Sequence, residues 1–184
     1  MELSAEQLAT YKVDRTNWQA GPWDGEPDRL QWTHAGFACL MVRHPRMGNW
    51  CAYVGVDRAH PLYGKHPLHG DADEVFERLE PARQLNYGDF CDGVICHAPE
   101  PGLPAEVWWL GMDFAHAFDR VPGAEARERA QDSRNPTLAA LSQQIEEHLR
   151  KFPLMRPRYA HQASVQKATE ALAEQLRALA PGQP

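Results

Sequence analysis

Apolar positions fall in short runs over the first two thirds of the chain and recur at helical spacing over the last third. The most apolar run, Val107 to Phe114 (Val-Trp-Trp-Leu-Gly-Met-Asp-Phe), predicts a central strand. Residues 36–43 and 50–56 predict two more, joined by the turn His44-Pro-Arg-Met-Gly-Asn49 into a hairpin. Residues 85–97, broken by Gly88 and Gly93, predict a short strand, a turn and another short strand. Residues 18–28 and 60–70 carry too many prolines and glycines for regular structure and predict loops, the first pinned by Trp18 and Trp23. Short helices are predicted over 5–12, capped by Ser4, and over 71–79. Residues 98–104 predict a polyproline-like connector.

Past Asp119 the period changes. Pro122-Gly123 predicts a turn and 124–134 a weak, charged helix. Asn135-Pro136 is a cap followed by proline at the first helical position. Leu138, Leu141, Ile145, Leu149 and Phe152 then recur at steps of 3, 4, 4 and 3, one face of an amphipathic helix. Val165, Ala168, Leu172, Leu176 and Leu179 predict a second such helix, ending at Pro181-Gly182. Strands first and helices last predict an α+β domain: an antiparallel sheet of about four or five strands with the C-terminal helices packed on one face. The chain reads as a single domain over 1–184, with a mixed strand and loop core over 1–120 and a helical pair over 135–180. The near-heptad spacing of the two helices also permits self-association.

The composition narrows the function classes. With 19 basic and 25 acidic residues, the net charge is −6, which argues against direct nucleic-acid binding, since that needs a basic surface. No run approaches the apolar length of a membrane span, and the N-terminus lacks the pattern of a signal peptide. A cytoplasmic location is the expectation, with Cys39, Cys51, Cys91 and Cys96 reduced and mostly acting as small buried hydrophobes.

Three stretches could carry chemistry. At the end of the central strand, Asp113, His116 and Asp119 would fan over about a third of a helix circumference if the chain turned helical there. They could hold a divalent metal, or let His116 deprotonate a water. The same residues also suit a plain turn, with Asp113 bonded to backbone and His116 in a polar niche. His60, Tyr63 and Lys65 in the loop His60-Pro-Leu-Tyr-Gly-Lys65 form a stiffened set suited to a small anionic ligand, or simply a wrapped surface loop. Cys91-Asp-Gly-Val-Ile-Cys96-His97 has a loose zinc-like spacing that would need Cys39 and Cys51 as a second pair. Trp108 and Trp109 should face opposite ways, one into the core and the other, Trp109 in the ligand-binding reading, toward a second layer or a partner.

Gly21-Pro-Trp-Asp-Gly-Glu-Pro-Asp28, Cys51 to Val56, His60 to Lys65, Ile95-Cys-His-Ala-Pro-Glu-Pro-Gly102 and Val107 to Asp119 carry a resemblance, in this order. Together they resemble an uncharacterised family of small proteins encoded by tailed bacteriophages and prophages. The resemblance implies phage origin and an accessory rather than a virion role, with modulation of a host defence such as CRISPR interference as the natural expectation. One segment departs from the family pattern. A His-Gly-Gly sequence before the strand at 85–87 is replaced by Glu80-Pro-Ala-Arg83, so any family activity resting on that histidine would be absent.

The expected function is therefore binding: of a host protein, or of a small anionic ligand. The alternative is a small hydrolase or transferase, with or without a divalent metal, built on Asp113, His116 and Asp119.

Overall fold

In the computed structural model the described residues are 4–70, 72–81, 83–98 and 102–180. Five antiparallel strands form one sheet: β1 (Arg29–His34), β2 (Phe37–Arg43), β3 (Trp50–Val56), β4 (Leu85–Asp89) and β5 (Trp108–Asp113), in the order β1-β2-β3-β5-β4. Five helices surround it: α1 (Ala5–Ala9), α2 (Asp73–Phe76), α3 (Pro122–Asp132), α4 (Pro136–Lys151) and α5 (Gln162–Leu179). The α+β expectation and the strand count are as read from the sequence. Among the described residues no helix is long and apolar enough to cross a membrane.

β2 and β3 are apolar on both sides because the sheet has two cores. One face carries Cys39, Met41, Trp50, Val54, Trp108, Leu110 and Met112 against Val165, Leu172, Ala173 and Leu176 of α5. The other carries Leu40, Val42, Cys51, Tyr53 and Trp109, closed by Tyr11, Tyr87 and the loop residues Val94, Ile95 and Leu103. Trp108 and Trp109 thus face opposite ways, as alternation requires. Trp109, expected to meet a ligand or partner, is instead fully buried, with the His97 ring edge-on at 5.5 Å. The loop, not a helix, is its second layer.

Several elements differ from expectation. β1 was not predicted. It pairs with β2 through the two-residue turn Ala35-Gly36, both with positive φ (49° and 83°), the geometry that matches strand twist in a tight hairpin. Only β4 forms from 85–97. The chain then closes on an isolated bridge between Asp92 and Ile95, with Gly93 in the left-handed region. That turn brings Cys91 and Cys96 to a Cα separation of 4.6 Å, and they form a disulfide rather than staying reduced. Cys39 and Cys51 lie on opposite faces of the sheet, so the four cysteines do not gather. Residues 122–123 open α3 rather than forming a turn, with Pro122 in its first turn. Gly123 donates its N–H to Met47 O at 2.8 Å, and a Cβ there would meet Arg46 O at 2.3 Å, so a side chain would push α3 off the β2–β3 turn. The expected helix at 71–79 shrinks to α2; Asp71, part of the connector at 98–104, and the stop at Pro181-Gly182 lie outside the described residues.

The loop at 18–28 is held by buried charge. Arg43, fully buried, donates to Gly48 O at 2.8 Å and to Glu26 Oε2 at 2.6 Å, and its guanidinium lies 4.1 Å from the Trp50 ring centroid. The Tyr159 hydroxyl bonds to the same Glu26 oxygen, while Glu26 Oε1 accepts the Gln162 N–H at the start of α5 at 3.0 Å. Asp28 accepts from Val13 N–H at 3.1 Å and from Arg15. The Gly-Pro-Trp-Asp-Gly-Glu-Pro-Asp segment is therefore a clasp tying the hairpin to the last helix.

α5 covers the sheet, as expected of a C-terminal helix. α4 does not share that role. It packs on α3 and on the short 3-10 turn Pro153–Met155, and none of its residues is buried. Its face of Leu138, Leu141, Ile145 and Phe152 is open, with Leu141 and Ile145 each 52% exposed.

Candidate functional site

The end of β5 delivers its polar residues into a tight turn, not a helix. Asp113 Oδ1 accepts the Ala115 N–H at 3.0 Å, and its Oδ2 accepts the Asn86 side chain at 2.5 Å. Asp119 Oδ2 accepts the His116 N–H at 2.9 Å, the Asp119 N–H returns to His116 O at 2.8 Å, and Arg83 binds Asp119 Oδ1 at 2.7 Å. Both carboxylates thus satisfy backbone groups of the turn that carries them. The His116 ring stands between them, Nδ1 lying 3.9 Å from Asp113 and 3.6 Å from Asp119, beyond direct hydrogen bonding. The His116 side chain is 45% exposed and Asp119 only 6%. The three residues do come together. Among the described residues, however, no three His, Cys, Asp or Glu side chains are placed to hold a metal ion.

The loop at 60–65 lies at the other end of β5. The Trp108 indole N–H donates to Lys65 O at 2.9 Å, whereas Asp113 ends the strand about 17 Å away at the usual ~3.3 Å rise per residue. The two candidate sets therefore share no cleft. Within the loop, His60 is buried and fully engaged: Nε2 donates to Leu176 O at 2.9 Å and Nδ1 accepts the Leu62 N–H at 3.2 Å. Burial lowers its pKa, against a smaller opposing effect of the Leu176 bond, and the ring is a neutral strut between loop and α5. Tyr63 donates to Glu106 Oε1 at 2.7 Å, and Arg58 reaches the same oxygen at 2.8 Å. A carboxylate of the chain itself already takes the place that an anion would have on Tyr63. Lys65 is half-buried; His66 and His69 stack beyond it, centroids 3.8 Å apart.

What the turn does border is a cleft of about 1020 Å³ between residues 115–121, α3 and α4. His116 and Asp119 sit on one wall and Leu138, Leu141, Ile145 and Leu149 on the other. Five carboxylates line it against two guanidinium groups. Arg120 is held by Glu125 at 2.8 Å, Arg156 by Glu146 at 2.5 Å and Asp119 by Arg83, so Glu128 and Asp132 have no ion pair among the described residues. Outside the cleft the apolar surface continues over Phe118 (66% exposed), Phe152, Leu154 (86%) and Met155. The periodicity of 138–152 contained this face. Nothing in it showed that the face would be left open.

Comparison of the chain with protein-family models, with curated proteins and with solved structures finds no match in any of the three.

Proposed function

We propose that this chain is a phage or prophage accessory protein that works by binding a protein of its bacterial host, and that α4 and its cleft form the binding face. One observation carries the reading: a 16-residue amphipathic helix none of whose residues is buried, with Leu141 and Ile145 of its apolar face each half exposed. Contiguous exposed apolar surface rimmed by polar groups is the usual mark of a protein contact. The occupant that fits is an amphipathic helix with apolar residues for Leu141 and Ile145 and Lys or Arg beside them for Glu128 and Asp132. Such basic segments are common on nucleic-acid-handling proteins, which fits the expectation of a host-defence target. Capture of a small anion by the loop at 60–65 has less support, because Glu106 occupies Tyr63.

The test is a titration with two synthetic amphipathic helices sharing a leucine face, one flanked by lysine and one by glutamate, read by fluorescence anisotropy. The lysine peptide should bind the wild-type protein and fail to bind the double variant L141Q/I145Q. Equal binding of both peptides, or a dimer formed through α4 in light scattering, would overturn the reading. A second reading, acid–base chemistry, rests on His116 standing half-exposed between two carboxylates at the cleft wall. It is weaker because both carboxylates already serve the turn.

A further inference from the structure

A second, smaller cavity of about 300 Å³ opens on the other side of Ala115, under the β2–β3 turn and beside β4. It shares Met47 and Ala115 with the cleft beside α4 but none of the α4 residues, and its chemistry is different. Its floor is aromatic: Tyr53 lies across β5 because position 111 is glycine, where a Cβ would stand 2.4 Å from the ring, and Tyr87 meets it edge-on at 5.2 Å. Met47 and Cys51 also line the cavity.

Among its polar groups, His44, Asn86 and Asp113 are fixed by hydrogen bonds within the chain. His44 Nδ1 accepts the N–H groups of Arg46 and Met47 at 3.3 and 3.1 Å, so the imidazole is left with Nε2–H as its donor. Burial, and then Arg46 and Arg127, lower the His44 pKa, against an opposing effect of Asp113; the ring stays neutral. Asp113, one third exposed, keeps lone pairs beyond those taken by Ala115 and Asn86. Asn86 sits at the register shift of β4, which turns its amide toward Asp113. Among the described residues no lysine or arginine lines the cavity. An anion would therefore meet the Asp113 carboxylate uncompensated, and a compact cation would meet the His44 N–H. A flat, uncharged molecule that offers an N–H donor beside an N or O acceptor satisfies both and stacks on the tyrosines.

We propose that this cavity is a binding site for a planar, uncharged heterocycle of nucleobase type, with Asp113 accepting its N–H and His44 donating to the neighbouring acceptor. Asp113 here is a ligand-binding residue, and the site stands independently of the α4 face.

The test is a ¹⁵N NMR titration of the full chain with uracil and cytosine, with 1,3-dimethyluracil, benzoate and benzylamine as controls. Uracil and cytosine should shift the signals of His44, Asn49, Asn86 and Asp113 saturably, with half-saturation at or below about 1 mM. Dimethyluracil, which has no N–H to give, should bind at least about tenfold more weakly. D113N should weaken the bases by a similar factor. Since it also alters the turn, the exposed Ala115 supplies a second variant: A115F should block the cavity mouth and abolish the shifts without unfolding the protein. Absence of saturable shifts with either base, equal binding of dimethyluracil, tighter binding of benzoate or benzylamine, or undiminished binding in A115F would each overturn the proposal.

Discussion

Replacing Arg43 by methionine tests the clasp that joins the hairpin to α5. The arginine side chain is fully buried, with Glu26 and Asp28 at 14% and 3% exposure beside it. Methionine fills much of the space over Trp50 but leaves Glu26 without the guanidinium, with only Tyr159, Gln162 N–H and the His161 ring at 3.7 Å beside it, and leaves Gly48 O without its donor. Asp28 retains Arg15 and the Val13 N–H, so the damage concentrates on Glu26. Breaking a buried pair by removing one partner costs about 3–5 kcal/mol, a large share of a net stability of roughly 5–15 kcal/mol. For a chain of this size that is a fall in Tm of roughly 6–20 °C. Urea unfolding followed by tryptophan fluorescence reads it directly. R43K, which keeps the charge but not the fork, should fall between wild type and R43M. In R43M/E26Q the orphaned carboxylate is gone, so the double variant should be more stable than the summed single effects by about 1–3 kcal/mol. A loss below about 1 kcal/mol in R43M, or strict additivity, would refute the view that these charges act as one buried unit.

Three further outcomes follow from single features. Ala35 holds a φ of 49° in the β1–β2 turn, so A35G should raise stability by about 0.5–1 kcal/mol in urea unfolding, and a loss would mean the turn is not left-handed. Burial pushes the Cys39, Cys51, Tyr11, Tyr87 and Tyr159 pKa values up to about 12, from ordinary values of 9.0 for the thiols and 10.0 for the phenols. The folded chain keeps protons that the unfolded chain gives up, so their stabilisation is complete below about pH 9 and drains away between about pH 9 and 12. The urea midpoint should fall steadily on alkaline titration, and a flat midpoint would contradict the burial of these groups. H116A should leave stability within about 0.5 kcal/mol, because only its backbone N–H and C=O, not its ring, bond to the turn, and should leave binding of the lysine-flanked peptide within about threefold. A folded H116A protein that lost a phage-dependent activity while keeping that binding would favour acid–base chemistry.

What the sequence disclosed follows from which interactions are local. β2 and β3 were legible because continuous apolar runs on either side of a Gly-Asn turn leave little choice of structure. The amphipathic spacing of 138–152 and 165–179 identified both helices but could not say what covers them. Periodicity shows that a face is apolar, and only the tertiary arrangement decides that α5 lies on the sheet while α4 stays open. β1 was missed because Leu30 and Trp32 alternate with polar neighbours and the turn uses alanine where asparagine would have announced it. Arg43, Glu26 and Asp28 look like surface charges until residues more than a hundred positions apart, such as Glu26 and Tyr159, are brought together. His44 was passed over as a turn residue. Its value lies in which nitrogen the turn consumes, a fact of backbone geometry that composition does not carry. The sequence singles out Asp113 and His116 as polar residues at the end of the central strand, but not the direction each faces: the first lines the small cavity and the second the large cleft.

The measurement that bears most directly on the binding face is the stability of L141Q/I145Q set beside its peptide affinity. Glutamine keeps helix propensity while removing the apolar surface. If α4 presents that surface to a partner, unfolding free energy should stay within about 1 kcal/mol of wild type while affinity for the lysine-flanked helix falls at least about tenfold. A loss of about 4 kcal/mol or more, with affinity unchanged, would show that Leu141 and Ile145 serve this chain's own core.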